Sequence, residues 1–246
     1  MTERIIAWLD ETDPSFPDTG SALTDPNGLL AAGGNLSAAT LLAAYRHGVF
    51  PWFNKGEPIL WWSPNPRMVI YPDKLHISRS LAKLLKKNSY KVTCDRAFHQ
   101  VIKACSAPRS YTRETWITEE MIEAYHSLHT LGHAHSVEVW ENDQLVGGLY
   151  GVAIGQVFFG ESMFSKKNNA SKVAFAWLCK HLLQWQIKLV DCQVYSPHLE
   201  SLGGITIPRD QFVELIGRYC QALPSGANWN FEWQWNDLSN DITKKY

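Results

Sequence analysis

The alternation of hydrophobic and polar positions changes character along the chain. From residue 10 to residue 28, Asp, Pro, Thr and Gly dominate and no period is sustained, so this stretch reads as loop. Ser37 can cap a helix whose apolar positions include Leu41, Leu42 and Tyr45, and Gly48 ends it with Pro51 just beyond. Residues 1–66 therefore read as a small, irregular, aromatic-rich domain. Past Arg67 the pattern becomes regular. A strand is expected at 68–71, then a helix capped by Ser78 with Leu81, Leu84 and Leu85 on its apolar face. A strand at 90–94 leads to a helix capped by Asp95 and running through Phe98, Val101, Ile102 and Cys105. Thr118 caps another, with Glu119, Glu120 and Glu123 near its positive end and Gly132 closing it.

Three short strands follow, at 135–140, 145–154 and 156–161. Asn142-Asp143 and Gly155 supply the turns, which makes an antiparallel meander. A helix over 171–185 and a strand over 188–194 add a βαβ-like unit. Pro208 opens a last helix with Phe212, Leu215, Ile216 and Tyr219. Trp229, Phe231, Trp233 and Trp235 recur at period two and predict a final strand with one aromatic face. A meander running into β-α-β is the order expected of an acetyltransferase-like (GNAT-like) α+β domain with a mixed sheet, here residues 67–246. Acetyl-CoA enzymes of that fold carry a basic, glycine-rich turn that cradles pyrophosphate on a helix N-terminus. The corresponding segment, 161–170, has no glycine. The fold is thus expected without the acetyl-CoA site, and no cofactor is expected.

Composition narrows the class. Hydrophobic residues are 45% and charged residues 19%, enough for an ordinary core and against global disorder. A formal net charge of −1 excludes a wholly basic nucleic-acid coat, though not a local basic patch. The five cysteines are odd in number with no C-x-x-C pair, which fits free thiols in a reducing compartment. The N-terminus lacks a signal-peptide core and no apolar run approaches the ~20 residues of a membrane helix, so a cytoplasmic protein without membrane attachment is expected.

Several residues carry chemistry. Segment 59–67, Ile-Leu-Trp-Trp-Ser-Pro-Asn-Pro-Arg, sets two indoles and a guanidinium on a backbone that Pro64 and Pro66 keep extended. Such a segment suits a site that stacks flat rings and holds a phosphate or carboxylate. Asp191 and Gln193 lie two apart on an expected strand and point to one face, with Cys192 on the other. A carboxylate beside a carboxamide can orient the amide, whose oxygen then accepts a hydrogen bond from an amine. Glu161, an acid among aromatics, needs a partner or a task. Phe158, Met163, Phe175, Leu178 and Val190 read as core on periodicity alone. Arg79, Lys83 and Lys87 recur every four residues, with Lys86 beside them and no interleaved acid, a stripe suited to a phosphate backbone. His126, His129, His133 and His135 do not make a metal site, because Gly132 breaks the helix between the pairs and no H-E-x-x-H pattern completes it.

The chain resembles the bacterial leucyl/phenylalanyl-tRNA–protein transferase family. The resemblance runs through Pro26-Asn-Gly-Leu-Leu30, Gly33-Gly34, Tyr45-Arg-His-Gly-Val-Phe-Pro-Trp-Phe53, the Trp61-Trp62 segment and His76-Ile-Ser-Arg-Ser80. It continues through Trp116-Ile117, Gly132-His-Ala-His135, Gly147-Gly148, Gly160-Glu-Ser-Met-Phe-Ser165, Asp191-Cys-Gln-Val194 and Ile207-Pro-Arg209. It implies transfer of Leu, Phe or Met from aminoacyl-tRNA to proteins beginning with Arg or Lys, by a monomer that uses no metal. By the resemblance, Asp191 orients Gln193, Gln193 assists the amine, and Glu161 and Asp191 offer negative charge to the acceptor. Phe158, Gly160, Met163, Phe175, Leu178 and Val190 would line the amino-acid pocket. Trp52 would stack on the terminal adenosine, with Trp116 and Tyr125 near it. Asn35 and Asn65 stand where the family usually has Asp, and Tyr195-Ser196-Pro197 where it often has Leu-Asn-Asp. An acyl-CoA N-acyltransferase on the same fold and a non-catalytic RNA-binding module are the alternatives.

Overall fold

The computed structural model describes residues 6–107, 116–224, 226–229 and 232–233. Residues 6–62 build a small sheet. Its elements are β1 (Ala7–Leu9), β2 (Leu29–Gly33), α1 (Ala38–Arg46), β3 (Phe50–Pro51) and β4 (Leu60–Trp62). The strand order is β1-β2-β4-β3, with β1 parallel to β2 and the other pairs antiparallel. Ser37 caps α1 by accepting from the Thr40 N–H, and Gly48 turns the chain away at φ 80°.

A second sheet begins at β5 (Arg67–Ile70). After it come α2 (Arg79–Lys87), β6 (Lys91–Cys94), α3 (Phe98–Ser106) and α4 (Glu119–Thr130). The meander is β7 (Ala134–Glu141), β8 (Gln144–Ile154) and β9 (Val157–Ser165). Then follow α5 (Ala170–Gln184), β10 (Leu189–Gln193), α6 (Pro197–Glu200), β11 (Ile205–Ile207), α7 (Arg209–Tyr219) and β12 (Glu232–Trp233). The order is β11-β5-β10-β9-β8-β7-β6-β12. Only β9 and β10 among these neighbours run parallel, joined through α5. Two helices, α3 and α4, between β6 and the meander, then a helical crossover to a parallel strand, give the α+β acetyltransferase-like order.

The large sheet has a core on each face. One gathers α3, α4 and α7 with Leu41, Ala44 and Tyr45 of α1, so the small sheet's helix packs into the same core as the large sheet. The other gathers α2 and α5. Gly147 lets α5 start close to β8, since a Cβ there would lie 2.4 Å from the Ala170 Cβ.

Two expectations are corrected. Asp95 does not cap α3, which starts after Ala97. Its carboxylate is engaged by β7 instead: Oδ1 accepts from the Ser136 N–H at 2.7 Å and Oδ2 lies 2.7 Å from His135 Nδ1. Trp229 is not in a strand. Its ring stacks on His135 at 4.0 Å and packs on Trp185 at 4.7 Å. Only Glu232–Trp233 pairs, with β6, while Phe231 and Trp235 lie outside the described residues.

Candidate active site

The site is built by two irregularities facing each other. On β9, Ser162 pairs with Tyr150 and Gly160 with Gly151, so Glu161 is left over as a bulge. On β10, the register against β5 shifts between Asp191 and Gln193, and Gln193 has φ 63°. Pairing between β9 and β10 runs only from Leu189↔Val157 to Asp191↔Phe159. Beyond that point the two strands carry Glu161 and Gln193 toward one another.

Glu161 accepts three hydrogen bonds. Tyr45 Oη donates to Oε1 at 2.7 Å, Tyr125 Oη to Oε2 at 2.8 Å, and Gln193 Nε2 to Oε1 at 2.8 Å. The Tyr45 and Tyr125 hydroxyls also hydrogen-bond each other. Burial pushes the Glu161 carboxyl up to about 7, against the downward pull of the two tyrosine hydroxyls; the Asp191 charge adds to the rise and Arg67 opposes it.

Asp191 is wholly buried and paired. Arg67 Nε donates to Oδ1 at 2.8 Å and Nη2 to Oδ2 at 2.7 Å. Arg67 is itself buried, between the rings of Phe50 and Phe212 at 4.8 and 4.5 Å, and Nη1 donates to the Gly48 carbonyl at 3.2 Å. Arg67 thus holds a carboxylate, but an internal one, and its burial keeps it from a substrate. Asp191 reaches Gln193 through the backbone, accepting its N–H on Oδ1 at 2.9 Å. The carboxylate that orients the Gln193 amide is therefore Glu161, not Asp191.

A cavity of about 730 Å³ opens over this cluster. It is lined by Glu161, Asp191 and Gln193, by Trp116, and by Phe158, Gly160, Met163, Phe175, Leu178 and Val190. Leu149 extends the apolar wall, and Tyr150, Ser162, Lys166 and His198 bring polar atoms to it. Its size is in the range of small-molecule sites. Tyr150 Oη is buried with no hydrogen-bond partner among the described residues.

The other expected residues lie elsewhere. Tyr125 is fully buried in the core, so it has no free face for a nucleotide; it braces Glu161. Trp52 is off the cavity wall and 44% exposed, 5.7 Å from the Trp62 ring. Trp61 is core, its Nε1 donating to the Gly33 carbonyl at 2.9 Å. Arg79, Lys83, Lys86 and Lys87 are exposed on α2 and do not line the cavity. Of the histidines, His129 bonds the Ala134 carbonyl and stacks on Phe98, and His135 bonds Asp95. Sequence reasoning missed Tyr45 as a site residue. The available signal was its hydroxyl, which on the apolar side of a helix requires a buried partner.

Known proteins match over nearly the whole chain. A family model described as leucyl/phenylalanyl-tRNA protein transferase matches residues 69–217, and one described as that family's N-terminal domain matches residues 34–65. The leucyl/phenylalanyl-tRNA–protein transferase of Pseudomonas syringae pv. syringae is 58% identical over 226 residues, 92% of this chain and 98% of that protein. That of Ectopseudomonas mendocina is 57% identical over 92% of this chain and 99% of that protein. A solved GCN5-related N-acetyltransferase from Kribbella flavida aligns at a TM-score of 0.35 and 13% identity over 69% of this chain and 60% of that one. That match is loose, and the fold assignment rests on the strand order above. By the family matches and the identity over its length, the chain belongs to the leucyl/phenylalanyl-tRNA protein transferase family and is a transferase.

Proposed function

We propose that this protein transfers leucine, phenylalanine or methionine from the 3′ end of aminoacyl-tRNA to the amino group of an N-terminal Arg or Lys, forming a peptide bond. The carrying observation is that one cavity joins an apolar wall to Glu161 and Gln193. Phe158, Met163, Phe175, Leu178 and Val190 suit a flexible or aromatic apolar side chain such as that of Leu, Met or Phe, which Met163 can repack around. Against those five side chains a polar group would lose its hydration.

The ester of aminoacyl-tRNA is already activated, so the protein need only place an amine against it. Gln193 Nε2 is committed to Glu161, which leaves its amide oxygen to accept from that amine. Asp191 fixes the Gln193 backbone, and its own charge is offset by Arg67. Negative charge for the acceptor's cationic N-terminus then comes from Glu161. Trp52 suits the terminal adenosine, with Trp116 on the cavity wall, and the α2 stripe of Arg79, Lys83, Lys86 and Lys87 suits the tRNA backbone. We extend the reading to a cytoplasmic monomer that marks its acceptors for N-end-rule degradation. The test mixes the protein with radiolabelled Leu-tRNA and a protein beginning with Arg. Label in the acceptor, and none with an acceptor beginning with Glu, is the expected result.

A further inference from the structure

An N-terminal amine meets the enzyme largely as an ammonium, since an α-amino group has a pKa of about 7.7–8.0. It must lose a proton before it can attack. Most candidates near the cavity cannot take one. Asp191 has both oxygens engaged by Arg67. A carboxamide such as Gln193 is too weak a base to hold a proton. Burial pushes the Cys192 thiol up, away from a usable thiolate. His198 lines the cavity from α6, but it has no hydrogen bond to Glu161, Asp191 or Gln193 among the described residues.

Glu161 differs, because its surroundings have room for one more proton. Three contacts close a ring: Tyr45 Oη to Oε1, Tyr125 Oη to Oε2, and Tyr45 Oη to Tyr125 Oη. With Glu161 ionised, both phenolic protons go to the carboxylate and none remains for the contact between the phenols. A proton on Oε2 completes the ring: Oε2 donates to Tyr125, Tyr125 to Tyr45, and Tyr45 to Oε1. Oε1 still accepts from Gln193 Nε2 in that arrangement. Tyr45 comes from α1, Tyr125 from α4, and Tyr150 stands nearby from β8; Asp191 on β10 and Arg67 on β5 are the charges that face the group. Asp191 and Arg67 offset each other.

We infer that Glu161 is the group that takes the proton from the incoming ammonium, with Tyr45 and Tyr125 as positioning residues that share it. The inference rests on the aminoacyl-transfer reading above. The step balances. The ammonium gives one proton to the Glu161 carboxylate and becomes an amine. The amine nitrogen bonds to the ester carbonyl carbon. The bond to the ribose 3′ oxygen breaks, that oxygen leaves with the second N–H proton, and Glu161 releases its proton to water. A carboxyl poised near neutrality, as burial makes this one, is matched to that task.

Infrared titration of the free protein tests this without substrate. A protonated carboxyl band should titrate near pH 7 and be absent in Glu161→Gln. Tyr45→Phe and Tyr125→Phe each remove a charge-assisted donor and the neutral contact between phenols. The charge-assisted bond is the stronger, so each midpoint should rise by about one pH unit. The low-pH limb of transfer should rise with it, while binding of a puromycin-like donor mimic stays unchanged; a general loss of structure would move both. A band in the ordinary carboxylate range, or a midpoint unmoved in both tyrosine variants, overturns the inference. So does a limb that stays while the band moves, or one that persists in Glu161→Gln and vanishes in His198→Gln. No transfer by the wild-type protein overturns the functional reading itself, and the proton step with it.

Discussion

Arg67 and Asp191 meet as a two-point ion pair shut off from solvent, their side chains 1% and 0% exposed, and so tie β5 to β10 beneath the cavity. Removing one partner of such a pair strands the other charge in the interior. Arg67→Met and Asp191→Leu should each lower stability by ~3–5 kcal/mol. The double variant should recover much of that, because apolar replacement of both partners leaves no buried charge. Transfer should stay lost in the double variant, since the Gln193 N–H no longer has its Asp191 acceptor. Chemical denaturation beside a transfer assay measures both. A double variant no more stable than the weaker single would mean that the pair contributes more than mutual neutralisation.

The neighbouring tryptophans divide in the same way between support and surface. Trp61 is buried and bonded to Gly33, whereas Trp52 is half exposed. Trp61→Ala should cost ~3–5 kcal/mol of stability. Trp52→Ala should leave the melting temperature nearly unchanged and weaken an adenosine-ended donor mimic by ~1–3 kcal/mol. An unchanged dissociation constant for that mimic in Trp52→Ala would remove the stacking assignment.

Two buried groups should tilt stability with pH in opposite senses. Burial raises Glu161 from near 4.5 to about 7, so between those values the native state holds more protons than the unfolded chain. Its contribution is present at acid pH and is lost as pH rises through 7, by about 3 kcal/mol in all. His181, buried beside Trp177 and Trp185, is lowered from 6.5 to about 4 by burial. Here the unfolded chain holds more protons, and stability is lost as pH falls from 6.5 toward 4. Wild type minus Glu161→Gln should therefore decline with rising pH, and wild type minus His181→Phe should climb. Denaturant midpoints at half-unit pH steps read both differences. Parallel slopes of one sign would contradict the assignment of one of the two groups.

The parts legible in the sequence were those fixed by near neighbours. Ser37 and Thr118 cap their helices through an N–H three residues on, and Asn142-Asp143 turns with φ of 50° and 60°, as a tight hairpin between apolar strands requires. Phe158 and Val190 were readable as buried, because strand alternation shows burial, but alternation does not show whether the far side is packing or cavity. What escaped depends on distant partners. Asp95 looked like a helix cap because β7, which engages it, lies 40 residues away. The ion pair of Arg67 with Asp191 spans 124 residues. The bulge at Glu161 is invisible to a period of two, since it is one extra residue in an otherwise regular strand. Glu161 was picked out as an acid among aromatics, yet its three donors come from α1, α4 and β10, which only the fold brings together.

The α2 stripe can be separated from the chemistry by choice of substrate. Lys83 and Lys87 are exposed one turn apart, while Leu81 and Leu85 of the same helix are buried. Neutralising both lysines to Gln should therefore leave the helix packed. If they neutralise tRNA phosphates, the log–log slope of binding against salt should fall by about 1.5, since each lost contact removes about 0.7–0.9. Affinity for whole tRNA should drop most at low salt, where counterion release is strongest. A minimal adenosine ester of phenylalanine has no tRNA body, and no α2 residue lines the cavity, so its turnover should be kept. Filter binding across a salt series, with turnover of both substrates, gives the three readings. An unchanged slope would leave the stripe as a solvated helix face. Equal loss on the minimal ester would place the effect of these lysines on the fold rather than on tRNA.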